Sequence, residues 1–395
     1  MEMKAFVERL LNKADIKING SRPWDIRVLD ERFYKKVISD PSLGLGESYM
    51  DGWWECRQID QMFAHLLNSN IDQEMKISLK EWGVILLSRL FNYQTKYRSK
   101  EVAEKHYNIG NSFYQKMLDQ SMNYSCAYWQ GASDLEGAQQ NKMELICRKL
   151  QLKPGLKLLD IGCGWGSLAR YAAENYGVEV VGITISSAQK EYAEMRCRGM
   201  PVMILNQDYR DLPHQQFDRV VSVGMFEHVG YKNYRDFMEI ARSQLTEEGI
   251  FLLHTIGTNL SSHYGDPWIN RYIFPNGMLP SVAQIAIAIE GLFLMEDWHN
   301  FGVNYDRTLM EWHQRFNAHW EEIKGKYNER FHRMWNYYLL SCAGGFRARR
   351  LQLWQIVMTR HGLKDGFQQR DLIRDRIEKQ QNGQEKITRS SGSQG

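Results

Sequence analysis

Residues 158–166, Leu-Leu-Asp-Ile-Gly-Cys-Gly-Trp-Gly, have the pattern of a buried strand that turns through spaced glycines into a helix. Glycines at such a turn let the backbone approach a nucleoside that any side chain would push away. A dinucleotide fingerprint would space them G-x-G-x-x-G, with the helix N-terminus facing a pyrophosphate. Here Gly162, Gly164 and Gly166 run G-x-G-x-G, and Asp160 stands two residues ahead of the first. That spacing favours S-adenosylmethionine over a nicotinamide dinucleotide. A glycine-rich turn with no ligand would carry the same residues, so the rest of the chain must decide.

Further polar residues fall where neighbouring strands should end. Val180–Ile183 runs into Thr184, so the second strand lacks the carboxylate that commonly takes the ribose hydroxyls, and Thr184 with Gln189 is left to contact ribose or methionyl groups. Asn206-Gln207-Asp208-Tyr209 follows the third strand with an amide and a carboxylate suited to an adenine amino group, although Asp208 could equally cap a turn. Glu227, within Gly224–Gly230, ends the fourth strand, and His254, within Leu253–Gly257, ends the fifth. Either alone would read as structural. Two titratable groups on adjacent strand ends beside a cofactor loop point instead to chemistry. Upstream, Tyr124-Ser125-Cys126-Ala127-Tyr128-Trp129 is dense in rings and hydroxyls and is placed to cover the cofactor.

The elements that must position these residues alternate as a doubly wound sheet requires. Strands are predicted at Lys157–Ile161, Glu179–Ile183, Val202–Leu205, Phe217–Val223, Ile250–Thr255, Phe293–Asp297 and Leu353–Met358. Helices are predicted between the early ones at Ser167–Asn175, Ala188–Cys197 and Tyr234–Leu245. The fold class expected is α/β, a class I S-adenosylmethionine-dependent methyltransferase with a Rossmann-like seven-stranded sheet and a small, mostly helical N-terminal domain. That N-terminal domain, residues 1–75, would contain helices at Phe6–Ala14, Arg32–Ser39 and Met62–Leu67, with a glycine-rich turn at Leu43–Gly46. An amphipathic linker at 76–100 runs into Lys96, Arg98 and Lys100 and would suit a lipid interface or a connecting helix packed on its own domain. The catalytic domain follows at 101–365, and a polar tail at 366–395 is expected to be disordered. Within the catalytic domain, Asp306–Phe346 reads as two helical stretches rich in Trp, Tyr, Phe and Met, an apolar lid or ordinary core.

A chain of 395 residues, 43% hydrophobic and 25% charged, is globular, and a net charge of +3 gives no overall nucleic-acid footprint. The six cysteines are scattered without C-x-x-C or metal-ligand spacing, which fits reduced thiols in the cytosol and no metal. With acids among the first fifteen residues and no apolar run of spanning length, a cytoplasmic protein is expected.

Tyr124–Trp129, Leu158–Gly166, Gly224–Gly230, His254–Gly257 and Asp297–Tyr305 together resemble the cyclopropane-fatty-acid and mycolic-acid cyclopropane synthase family, and the likeness extends through Leu43–Glu55. The resemblance implies methyl transfer from S-adenosylmethionine to a cis double bond in an unsaturated acyl chain. It implies a bicarbonate ion held by Cys126, Glu227, His254, Tyr305 and the backbone of Ile256. It implies cofactor contacts from Tyr124, Ser125, Gly162, Gly164, Thr184, Gln189, Gln207 and Asp208. It also makes Cys342 a candidate catalytic thiol, although the apolar helical setting of that residue favours packing.

Such a substrate makes a phospholipid bilayer surface the expected partner, with transient association at the inner face of the membrane. Arg330, Arg333, Arg347, Arg349, Arg350 and Arg360 stand in a stretch without Asp or Glu, which would attract anionic headgroups unless acidic partners come from elsewhere in the fold. The oligomeric state stays open, a homodimer included. Two rival readings are a same-fold methyltransferase that makes a methyl-branched lipid or methylates a small amine, and a lipid-binding protein without activity.

Overall fold

A computed structural model describes residues 2–70 and 110–367, so the expected linker at 76–100 and nearly all of the tail lie outside the described residues. The first described segment holds helices Glu2–Lys13, Arg32–Ser39, Pro41–Met50 and Ile59–Asn68. Strands β1 (Arg27–Val28) and β2 (Trp54–Glu55) pair antiparallel among them.

The glycine-rich turn expected at Leu43–Gly46 is helical instead. Asp40 caps the Pro41–Met50 helix by accepting from Leu43 N, and Pro41 occupies its first turn, where a missing N–H costs nothing. Its glycines serve close packing: a Cβ on Gly46 would fall 2.3 Å from the Trp268 ring, and one on Gly44 would fall 2.3 Å from Lys36 O.

The main sheet is built from β3 (Lys157–Ile161), β4 (Glu179–Thr184), β5 (Val202–Asn206), β6 (Phe217–Val223), β7 (Leu245–Thr258), β8 (Leu294–Asn300) and β9 (Leu351–Thr359). Their order is β5-β4-β3-β6-β7-β9-β8, parallel except where β9 pairs antiparallel with both β7 and β8. Helices Ser167–Tyr176, Ser187–Arg196 and Tyr234–Ser243 cover the parallel half. They form the crossovers that parallel strands require.

Between β8 and β9 the chain forms helices Val303–Ala318 and Glu329–Arg347, joined by a short third helix at Trp320–Ile323. Trp312 and Trp335 are fully buried here, so much of this aromatic stretch is core. The same core cluster includes Phe33, Trp54 and Ile59 from the N-terminal helices. The arginine stretch works at this seam. Arg330 pairs with Asp51 at 2.8 Å, Arg347 bridges Asp60 and Asp306, and Arg333 donates to Trp54 O at 3.0 Å. Arg350 reaches Leu67 O at 2.9 Å, and away from the seam Arg360, just past β9, pairs with Glu247 on β7 at 2.9 Å. Acidic and carbonyl partners from elsewhere in the fold therefore engage most of the run that the sequence offered as a headgroup patch. Among the described residues no helix is long and apolar enough to cross a membrane.

Candidate active site

The strand order reverses between β3 and β6, and ligands of open α/β sheets bind beyond the carboxyl ends of the strands at such a point. A cleft of about 1510 Å³, its open mouth included, lies there. Its floor is the glycine loop. Gly162 and Gly164 have φ of +87° and +55°, and the amides of Gly162 and Cys163 both donate to Ile183 O, tying the loop to the end of β4. A Cβ on Gly162 would press within 2.8 Å of Met225, whereas one on Gly164 would meet no protein atom within 4 Å. Gly164 is thus the position whose bare backbone leaves the cleft open. Gly166 does not line the cleft; a Cβ there would lie 2.9 Å from Ala193, so it lets two helices approach.

At the end of β4, Thr184 Oγ1 donates to Gln189 Oε1 at 2.8 Å, and both residues line the cleft. Beyond β5, Asp208 borders the cleft and also caps the following turn, accepting from Arg210 N at 3.0 Å and from its guanidinium at 2.7 Å. Gln207 lines the same edge, with its side-chain amide donating to Asp211 O.

Tyr124 and Ser125 form the opposite wall, held by two polar residues of the Leu135–Lys149 helix. Gln139 Nε2 donates to Ser125 O at 2.9 Å, and Lys142 Nζ donates to Ser125 Oγ and Asn123 Oδ1, both at 2.9 Å. Lys142 and Asp160 are each 2% exposed. Burial pushes the Asp160 carboxyl up to about 7 against the pull of Lys142, and burial pushes Lys142 down to about 8. Lys142 was not among the sequence candidates, yet a signal existed. Leu135, Ala138, Gln139, Lys142, Met143 and Ile146 recur at helical spacing on the buried face, which puts a lysine where the stripe calls for an apolar side chain.

A second group of candidates gathers deeper along β7. Val223 pairs with His254 across β6 and β7, and Ile256 N donates to Glu227 Oε1 at 2.7 Å. The Ile256 amide, expected to serve a bound anion, is therefore taken by Glu227. The other carboxylate oxygen, Glu227 Oε2, is buried without a partner, and so is His254 Nε2. Burial raises the Glu227 pKa to about 7 against the pull of the Ile256 amide, and burial with Lys142 and Lys149 holds His254 well below its ordinary range, hence neutral.

Tyr305, also buried, lies within electrostatic reach of Cys126, Tyr124, Glu227 and Cys342. It is set there by Thr308, one turn along the same helix. Thr308 Oγ1 accepts from Ala127 N at 3.2 Å and from Trp129 Nε1 at 3.0 Å, fastening the segment that carries Cys126. Both thiols are kept protonated: burial raises Cys126 well above the usual range and pushes Cys342 up to about 12. Cys342 sits beside Tyr305 and Tyr338 in the aromatic group, which suits packing.

Tyr124 joins the two regions. It lines the cleft, donates to Tyr338 Oη at 3.0 Å, and lies 5.2 Å between ring centroids from Trp312. Tyr305 continues this wall, 5.9 Å from Trp312 and 4.6 Å from Phe346.

A seven-stranded sheet in this order, with a glycine loop at its switch point, defines a class I S-adenosylmethionine-dependent methyltransferase. Residues 94–356 match the family model for mycolic acid cyclopropane synthetase. Over 358 residues the chain is 56% identical to the cyclopropane-fatty-acyl-phospholipid synthase of Escherichia coli strain K12, spanning 91% of this chain and 93% of that one. Among solved structures, the cyclopropane synthase MmaA2 from Mycobacterium tuberculosis superimposes with a TM-score of 0.62 at 30% identity, over 66% of this chain and 97% of that one. The mycolic acid cyclopropane synthase CmaA1, solved in complex with SAH and CTAB, gives the same values. The chain belongs to the cyclopropane synthase family of lipid methyltransferases.

Proposed function

We propose that this chain transfers the methyl of S-adenosylmethionine to the cis double bond of an unsaturated phospholipid acyl chain, and that a bicarbonate ion beside Glu227 serves as the base that closes a cyclopropane ring. The observation that carries the reading is that Glu227 Oε2 and His254 Nε2 are both buried and unsatisfied, with Glu227 within electrostatic reach of Tyr305 and the His254 ring 5.8 Å from Phe301. Buried polar atoms seldom stay unpaired in a finished site, so a small polar ligand fits there. The cleft fits the cofactor, and a relative solved with SAH supports that assignment.

When bound, S-adenosylmethionine supplies an electrophilic sulfonium methyl, and bicarbonate supplies a base small enough to reach the new methyl. The protein does the rest by placement. An alkene is a weak neutral nucleophile, so orientation must supply much of the help, up to ~7–11 kcal/mol in favourable cases. Gly162, Gly164, Thr184 and Gln189 fix the nucleoside end of the cleft, and Tyr124 and Ser125 close over it. Methyl transfer leaves positive charge on the acyl chain. Tyr124, Tyr305, Trp312 and Phe346 offer ring faces that stabilise a cation without bonding to it, at ~0.5–2 kcal/mol each, and they exclude the water that would turn it into an alcohol.

Cys126, Glu227, His254 and Tyr305 would hold the anion, with the Ile256 amide acting through Glu227. Two anions at hydrogen-bonding distance repel, so Glu227 shares a proton with its ligand, which a carboxyl with a pKa near 7 can do at neutral pH. Tyr305, protonated, donates, and the Cys126 thiol donates once it turns from Ala127 O, its acceptor at 3.3 Å. The substrate lies in a bilayer, so the protein docks transiently on a phospholipid surface at the cytoplasmic face. The N-terminal helices form a domain to residue 75, and the segment at 76–100 connects it to the catalytic domain.

An add-back assay tests the reading. Protein rigorously depleted of bicarbonate should lose ring formation on cis-unsaturated phospholipid and regain it when bicarbonate returns. Glu227→Gln should slow ring formation more than it weakens S-adenosylmethionine binding. Full activity after depletion, with Glu227→Gln losing cofactor affinity in step with rate, would make Glu227 a cofactor-orienting carboxylate.

A further inference from the structure

His254 has a partner on its far side. Gln355 on β9 is its register partner across the antiparallel pair with β7, is fully buried, and brings its amide Nε2 within 3.3 Å of His254 Nδ1. An amide nitrogen can only donate, so Nδ1 must accept. The His254 ring is neutral, because burial and the cations of Lys142 and Lys149 all disfavour the imidazolium. In a neutral imidazole one nitrogen carries the single proton, and fixing Nδ1 as acceptor puts that proton on Nε2. Nε2 is the buried atom left without a protein partner.

We propose that Gln355 is a positioning residue that locks His254 in its Nε2–H tautomer, so that the ring offers a donor, not a lone pair, to the anion. The role in anion binding rests on the bicarbonate reading above; the lock itself does not. Electrostatics and hydrogen-bond economy agree on the direction. A lone pair on Nε2 would repel an anion, whereas Nε2–H attracts it. The opposite amide orientation would direct Gln355 Oε1 at Nδ1 and leave both hydrogens of a fully buried NH₂ unpartnered. An orphaned donor is rarer in proteins than the under-satisfied carbonyl oxygen that the observed orientation leaves. Lys149 does not compete for the amide, since its ammonium, itself fully buried, pairs with Asp297 at 2.8 Å. The arrangement resembles the way second partners fix the tautomer of metal-bound histidines, here in the service of an anion.

The test reads the tautomer directly. Full-length protein with ¹⁵N-labelled histidine, in carbonate-free buffer, should show His254 protonated at Nε2, with the signal assigned by its loss in His254→Gln. Gln355→Leu removes the donor and should let the Nδ1–H form appear. Gln355→Glu, whose carboxylate can only accept, should place a proton on Nδ1. In Gln355→Leu the half-saturating bicarbonate concentration should rise about tenfold, the loss of one hydrogen bond to a charged group. S-adenosylmethionine affinity by calorimetry should stay within about twofold in that variant, since Gln355 does not line the cleft. A wild-type ring protonated at Nδ1, or tautomers unchanged in both variants, overturns the proposal. A locked Nε2–H tautomer in a protein indifferent to bicarbonate upholds the lock and removes the anion reading instead.

Discussion

The backbone amide of Ile256 donates to Glu227 Oε1 at 2.7 Å, while the other carboxylate oxygen, Oε2, is buried with no hydrogen-bond partner. Burial makes this carboxyl costly to ionise, and against the pull of the Ile256 amide its pKa rises to about 7 from 4.5. A carboxyl raised in this way favours the folded state fully below its unfolded pKa and loses that contribution as pH climbs through the folded value. Glu227→Gln keeps an acceptor for Ile256 and cannot ionise. In carbonate-free buffer it should melt close to wild type at about pH 5 and several degrees higher at about pH 8. At about 1.4 kcal/mol per pKa unit, the gap between the two conditions is on the order of 3 kcal/mol. An equal melting difference at both pH values would show that Glu227 carries no buried charge.

Gly164 and Gly166 should respond in opposite ways. Gly164→Ala places a methyl in open cleft at a φ of +55°, costing about 1–2 kcal/mol of backbone strain, and should weaken S-adenosylmethionine about tenfold or more. Gly166→Ala drives its methyl against Ala193 and should lower melting temperature, with a smaller effect on cofactor affinity in the protein that remains folded. Calorimetry and melting curves on both variants check the pair. Equal losses of affinity would mean that the loop acts as a rigid whole.

Lys142→Met removes the ammonium that holds Asn123 and Ser125 and leaves their oxygens, with Asp160, to find other partners. The expected loss of stability is about 1–3 kcal/mol, the cost of unsatisfied buried groups. Cofactor affinity should fall as well, because Tyr124 and Ser125 are no longer clamped over the cleft. Unchanged affinity with lowered stability would limit Lys142 to a structural role.

The sheet was legible because its strands are short apolar runs between turn residues, and the predicted starts of β3, β4, β5 and β6 match those observed. β7 begins five residues earlier than its apolar run suggests, since Thr246, Glu247 and Glu248 hide the pairing of Leu245 with Phe217. β8 extends to Asn300 through Glu296, Asp297, His299 and Asn300, polar residues that mask a strand held by its ladder to β9. At Leu43–Gly46 the glycines read as a turn because nothing local reveals that Trp268 and Lys36 crowd them from elsewhere in the chain. The arginines misled for a related reason, as their partners Asp51 and Asp60 lie nearly three hundred residues away. Glu227 follows the end of β6 as expected, but His254 does not end its strand: β7 runs on to Thr258, held by its ladder to β9. Lys142 was marked only by its place on the apolar stripe of its helix, and Gln355 not at all, since its role comes from its register against His254 on β7.

Deuterium follows the fate of the transferred methyl. Protein incubated with cis-unsaturated phospholipid, bicarbonate and S-adenosylmethionine bearing a trideuterated methyl should yield a lipid that has lost its alkene and gained a CD₂ group. One deuterium leaves with the base as the ring closes. A product that keeps all three deuteria on a methyl branch, with an alkene still present or moved along the chain, contradicts ring closure and would assign this protein to methyl-branched lipid synthesis.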